Sequence, residues 1–279
     1  MSIKSLISFI LILLLFSLTS CGNSEERKME NQVNIIFLHH STGRFIYYGG
    51  LSKIFRKLGF EGDVEKWFDR YNEEYNKNYQ IADLFFPKDE PYGRKNYPFD
   101  YYNIWVKNAG DQPFKEEPTL EILTKKYDMI IFKHCFPVSS IKEDTIKPDI
   151  NADIRTLTNY KLQYEALKKK MLEFPETKFI IWTPPALVET ETNKDDAERA
   201  HQFSEWVKSV WDTRDDNIFL WDFRSLQVEG GLYFKSEYAL DVNDSHPNRE
   251  FSKTIAPYFC KRIADVIEGK GDINSLTGK

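Results

Sequence analysis

The chain has 279 residues, 41% of them apolar and 29% charged, and its 38 basic and 43 acidic residues leave a net charge of −5. A mildly acidic balance excludes an electrostatic phosphate-binding surface, so nucleic acid is not an expected partner. Three cysteines exclude a dense disulfide framework, and the length suits one globular domain held by a hydrophobic core.

In chain order, Lys4 precedes an apolar run over residues 6–16, and small residues follow up to Cys21. The run falls short of the ~18 apolar residues expected of a bilayer span, so residues 1–20 read as a secretory signal. Its exit, Leu18-Thr19-Ser20-Cys21, resembles the lipobox of bacterial lipoproteins. That resemblance implies that Cys21 becomes the first mature residue and carries acyl chains. The protein is then exported and lipid-anchored to a bacterial membrane, with the outer membrane or the cell surface as candidate places. Residues 21–32 are polar, charged and without apolar periodicity, which predicts a flexible tether. Cys135 and Cys260 then remain as a pair able to cross-link in an oxidising compartment.

Residues 33–279 make up the domain proper. Four nearly continuous apolar runs, over residues 33–38, 127–132, 178–182 and 217–221, have the pattern of strands buried on both faces. Helical stripes separate them: residues 153–174 through Leu157, Tyr160, Tyr164, Leu167 and Met171, and residues 195–211 through Ala200, Phe203 and Val207. A last helix is predicted over about 249–267, after Pro247. Strands alternating with helices predict an α/β fold with a parallel, doubly wound sheet. In such a sheet the site lies beyond the carboxyl ends of the strands, where each of these runs ends in polar or special residues. Residues 64–105 crowd aromatic side chains between Pro87, Pro91, Gly93 and Pro98, and read as an insertion packing its rings on the core. A wall of rings for stacking on sugars is the alternative.

Ser41 follows the first run and precedes Thr42-Gly43, a strand-to-helix turn that projects a hydroxyl from the sheet edge. A serine nucleophile needs a base within hydrogen-bond reach, and the base needs an acceptor on its other nitrogen. His246, in Asn243-Asp244-Ser245-His246-Pro247-Asn248, is the candidate base.

Taken in order, four segments resemble the blocks of SGNH (GDSL-like) hydrolases: His39-His40-Ser41-Thr42-Gly43, Lys107-Asn108-Ala109-Gly110, residues 134–140, and residues 243–248. Ile181-Trp182-Thr183-Pro184-Pro185 resembles the family's next strand end. The resemblance implies a three-layer α/β/α sandwich with a central parallel sheet of about five strands, the flavodoxin-like SGNH hydrolase fold. It further implies a serine esterase that needs no cofactor and no metal. Ser41 is then the nucleophile, His246 the base and Asp244 its orienting carboxylate. The N–H groups of Ser41 and Gly110 become the oxyanion donors. The chain departs from the pattern in three places. His39-His40 stand where the family has Gly-Asp. The third block lacks its Asn, so that His134, Ser139 or Ser140 must substitute as donor. Asn243 holds the position of the family's Asp, leaving Asp244 or the more distant Asp241.

The expected substrate is an ester, O-acylated carbohydrate foremost, in the cell envelope, with hydrolysis and acyl transfer both open. Two rival readings remain: a non-catalytic glycan-binding lipoprotein that keeps the fold, and a metal-dependent hydrolase built on His39, His40, His134, Asp244 and His246. Adjacent histidines leaving a strand point to opposite faces, which disfavours a shared ion at His39 and His40.

Overall fold

Apolar runs that lack alternation need partners on both faces, and a parallel sheet covered by helices supplies them. The computed structural model describes residues 32–49, 54, 57–93 and 95–279. The expected signal segment, Cys21 and nearly all of the tether lie outside the described residues. The strands are β1 (Val33–His39), β2 (Tyr79–Phe85), β3 (Met129–Phe132), β4 (Lys178–Trp182) and β5 (Ile218–Trp221), all parallel, in the order β2-β1-β3-β4-β5. This is the flavodoxin-like order, which opens a crevice at the carboxyl ends of β1 and β3, where the winding reverses.

The helices are α1 (Ser41–Tyr48), α2 (Asp63–Tyr75), α3 (Pro98–Tyr102), α4 (Leu120–Leu123), α5 (Leu157–Met171), α6 (Lys194–Trp206), α7 (Phe223–Val228) and α8 (Arg249–Ile267). Alternate strand residues feed two cores. Ile35, Phe37, Met129, Ile131, Ile180, Trp182 and Trp221 pack with α1, α2, α7 and α8. Ile36, Leu38, Ile130, Phe132, Phe179, Ile181 and Leu220 pack with α3 to α6. The result is the three-layer α/β/α sandwich expected. A hairpin of β6 (Ala239–Asp241) and β7 (Asp244–Pro247) precedes α8, whose N-terminus is capped by Asn248 Oδ1, 2.9 Å from the Phe251 N–H.

The aromatic stretch departs from expectation. It is part of the framework, supplying α2, the edge strand β2 and α3. β2 escapes a search for apolar runs because an edge strand tolerates polar residues, here Gln80 and Asp83. Packing governs most of its rings: Phe68, Tyr79, Phe86, Tyr97, Tyr101, Tyr102 and Trp105 are buried. Each fully buried ring of this size contributes about 1.5–3 kcal/mol. The two cysteines do not pair. Cys260 is a buried free thiol within α8, and Cys135 a partly exposed one just after β3.

Candidate active site

β1 ends at His39, and His40 is the extended residue (φ −111°, ψ −155°) that turns the chain into α1. Ser41 is therefore the first residue of a helix whose N-cap side chain accepts no hydrogen bond from the helix's first N–H groups. The first N–H groups of such a helix have no intrahelical acceptor and face the crevice. Gly43 allows the close seating of α1 on the strand. A Cβ there would lie 2.5 Å from His39 Cβ and 2.7 Å from its Cγ.

The other half of the site comes from the hairpin. His246 Nε2 lies 2.6 Å from Ser41 Oγ, and its Nδ1 lies 2.5 Å from Asp244 Oδ1. The same carboxylate oxygen accepts the His246 backbone N–H at 3.0 Å. Of the carboxylates weighed in the sequence, Asp244 is thus the one bonded to the imidazole. Partial burial works to raise the Asp244 carboxyl, but the hydrogen bonds and charge of His246 outweigh it and hold it below the usual range. Phe45 and Phe136 flank the imidazole, with ring centroids 5.4 Å and 5.1 Å away. The hairpin is pinned from below: Ser245 Oγ accepts the Val188 N–H at 2.9 Å, and Glu191 accepts the Ser245 N–H at 2.8 Å. The site is open, with His246 24% and Asp244 39% exposed.

The remaining oxyanion candidates are not brought to Ser41. Gly110 sits near the amino end of the sheet, the end opposite Ser41. Its carbonyl accepts Thr119 Oγ1 at 2.6 Å, and its N–H serves Glu121, which pairs with Lys170 at 2.7 Å. α4 and α5 carry these partners into the starts of β3 and β4, which fixes Gly110 at that end. His134 is 1% exposed, packed against Tyr101 (4.7 Å), Tyr164 (5.4 Å) and Phe132 (5.7 Å), with neither ring nitrogen hydrogen-bonded. Burial, then the neighbouring Lys133 charge, pushes it well below the ordinary imidazole range. Ser140 donates to Asp196 at 2.9 Å, in a cluster with Lys142 and Arg199. Ser139 is 2% exposed, with its hydroxyl sealed from the solvent that reaches Ser41.

The histidines of the metal reading likewise disperse. His39 meets Asp83 at 3.0 Å and the His40 carbonyl at 2.8 Å. His40 lies flat on Phe85, with centroids 4.0 Å apart, and donates to the Pro87 carbonyl at 2.7 Å. With His134 in the aromatic core and His246 on Ser41, no three of these groups converge among the described residues. Sequence reasoning missed the His39–Asp83 contact. Its one signal was an isolated acid inside Ile81-Ala82-Asp83-Leu84-Phe85. A cavity of about 860 Å³ lies between α2 and α8 against Trp67, Tyr71 and Glu268, away from Ser41 and His246.

No family model and no curated protein sequence matches the chain. Solved structures with a related backbone include a family two carbohydrate esterase from Cellvibrio japonicus. It shows 13% identity, a TM-score of 0.42, and coverage of 85% of this chain and 62% of that one. Another is a carbohydrate esterase whose active site displays divergent catalytic and non-catalytic binding functions, at 12% identity, 85% and 66% coverage, and TM-score 0.40. A third is a carbohydrate esterase family 2 enzyme plus carbohydrate-binding domain from Corynascus thermopiles (Myceliophthora fergusii), at 11%, 86% and 68%, and 0.44. The chain spans less than two thirds of the first two in length.

Proposed function

We propose that the chain is a serine hydrolase of ester bonds. The observation that carries this reading is the continuous path from the Ser41 hydroxyl through both nitrogens of His246 to the Asp244 carboxylate, at 2.6 Å and 2.5 Å. In the resting state Nδ1 carries its hydrogen to Asp244, leaving Nε2 free to accept the Ser41 proton. Ser41 Oγ then attacks the acyl carbon, and His246 becomes an imidazolium stabilised by Asp244. The same proton passes to the departing alcohol. Water, activated by His246, releases the acyl group from Ser41 in the second half. The N–H of Ser41, at the positive end of α1, is the donor we assign to the developing oxyanion.

O-acylated carbohydrate is the substrate class we favour. A partly exposed imidazole and carboxylate on an open rim suit a bulky, hydrated alcohol better than a long chain that needs enclosure. The signal-like segment and Cys21 support an envelope location, with the lipid on Cys21 as anchor. A fluorophosphonate reaction on the whole protein tests the assignment. Labelling is expected at Ser41, lost in His246→Ala, with release of acetate from an acetylated oligosaccharide but little turnover of a long-chain ester. Labelling at another residue, or glycan binding that persists in Ser41→Ala with no hydrolysis by the parent, would sink it.

A further inference from the structure

We infer that His39 and Asp83 form a positioning pair that aims the Ser41 N–H at the reacting carbonyl; the inference rests on the hydrolase reading above. His39 is two residues before the nucleophile and 2% exposed. Its Nδ1 lies 2.8 Å from the His40 carbonyl oxygen and its Nε2 3.0 Å from Asp83 Oδ2. A carbonyl and an ionised carboxylate only accept hydrogen bonds, so both nitrogens carry hydrogens and the ring is an imidazolium. Asp83 is held in turn by the Tyr48 hydroxyl, 2.8 Å from Oδ1. Burial works to raise the Asp83 carboxyl, but His39 and Tyr48 outweigh it, so it stays ionised.

The consequence lies in one peptide plane. The His40 carbonyl and the Ser41 N–H belong to the same planar trans peptide, so fixing the oxygen fixes the direction of the hydrogen. That oxygen is held twice, by His39 from the strand side and by the Arg44 N–H at 3.1 Å from the helix side. A cationic donor on the carbonyl also polarises the amide and strengthens its N–H as a donor. The imidazole is packed in place: α1 rests on it at Gly43, and Phe37 lies 4.6 Å away. The other ionisable groups around it are Tyr47 and Tyr48 on α1, Glu65 of α2 bonded to Tyr47, and Lys133, next after β3. Burial holds Lys133 below its ordinary range, which limits the competing positive charge. His39 thus stands at the first of the two positions where the SGNH pattern has Gly-Asp.

The test uses the whole protein, with p-nitrophenyl acetate as probe, fluorophosphonate labelling and thermal unfolding read in parallel. His39→Leu should lower kcat by about 10- to 100-fold with KM within about twofold, the scale of a misaimed catalytic group. His39→Asn, whose amide restores a donor to the His40 carbonyl, should recover most of that loss. Asp83→Asn keeps the shape and removes the carboxylate that accepts from His39 Nε2, so it should lower kcat by about 10-fold with KM within about twofold. Asp83 is partly exposed, so this variant carries the test if His39→Leu does not fold. A folded His39→Leu with wild-type kcat, equal losses in Leu and Asn, or wild-type kcat in Asp83→Asn would each overturn the positioning role. A parent protein that neither hydrolyses the probe nor labels at Ser41 would overturn the hydrolase reading, and this inference with it.

Discussion

The two faces of the sheet treat the same side chain in opposite ways. On the α1 side, His246 is partly exposed and both its nitrogens are engaged, by Ser41 and Asp244. On the α5 side, His134, two residues after β3, is sealed among Tyr101, Phe132 and Tyr164 with neither ring nitrogen hydrogen-bonded. The carboxylates divide in the same way. Asp244 is held below its ordinary range by His246. Asp100, packed on the aromatic face, is pushed up to about 6 by burial, despite its bond from the Tyr97 N–H at 3.1 Å. The lesson is that partners and solvent, rather than neighbours in sequence, decide whether a titratable group can move a proton.

Three substitutions test this contrast. The largest effect belongs to Asp244→Asn, which should lower kcat by about 100-fold or more, because the imidazole loses its orienting carboxylate. Steady-state kinetics beside an unchanged melting temperature would read it; a loss below about fivefold would remove Asp244 from the site. His134→Phe should do the reverse. It keeps a flat ring and removes two unpaired nitrogens, so stability in urea should rise by about 1 kcal/mol while kcat stays within twofold. A fall in activity with the fold intact would return His134 to the oxyanion.

The smallest effect concerns pH. Asp100 has its folded value raised, so the native state binds the proton more tightly than the unfolded chain does. Its contribution is favourable at low pH and is lost as pH rises from about 4 to about 6. Asp100→Asn, which keeps an acceptor for the Tyr97 N–H, should therefore raise the melting temperature relative to the parent more at pH 7.5 than at pH 4.5. A difference that shrinks with rising pH would show that Asp100 is ionised and paired in the native protein.

Much of this was legible beforehand where the signal is local. Continuous apolar runs marked β1, β3, β4 and β5, and Pro247 marked the approach to α8. Ser41 stood out because it follows an apolar run at a strand-to-helix turn, and His246 because it has a carboxylate close by and precedes the last helix. Gly110 misled for a physical reason. A short Asn-Ala-Gly string fits many turns, and here its N–H and carbonyl serve Glu121 and Thr119 at the far end of the sheet. Ser140 misled in the same way, since a hydroxyl takes a nearby acceptor and here donates to Asp196.

The amino-acid sequence by itself determined the layered α/β class, the two cores and the end of the sheet that holds Ser41, because burial periodicity and strand-to-helix turns are properties of adjacent residues. Only the tertiary structure decided that β2 is an edge strand, that His246 reaches a serine 205 positions earlier, and that His39 lies against Asp83. Such contacts are set by which strand lies beside which, and that order follows from the packing of the whole chain.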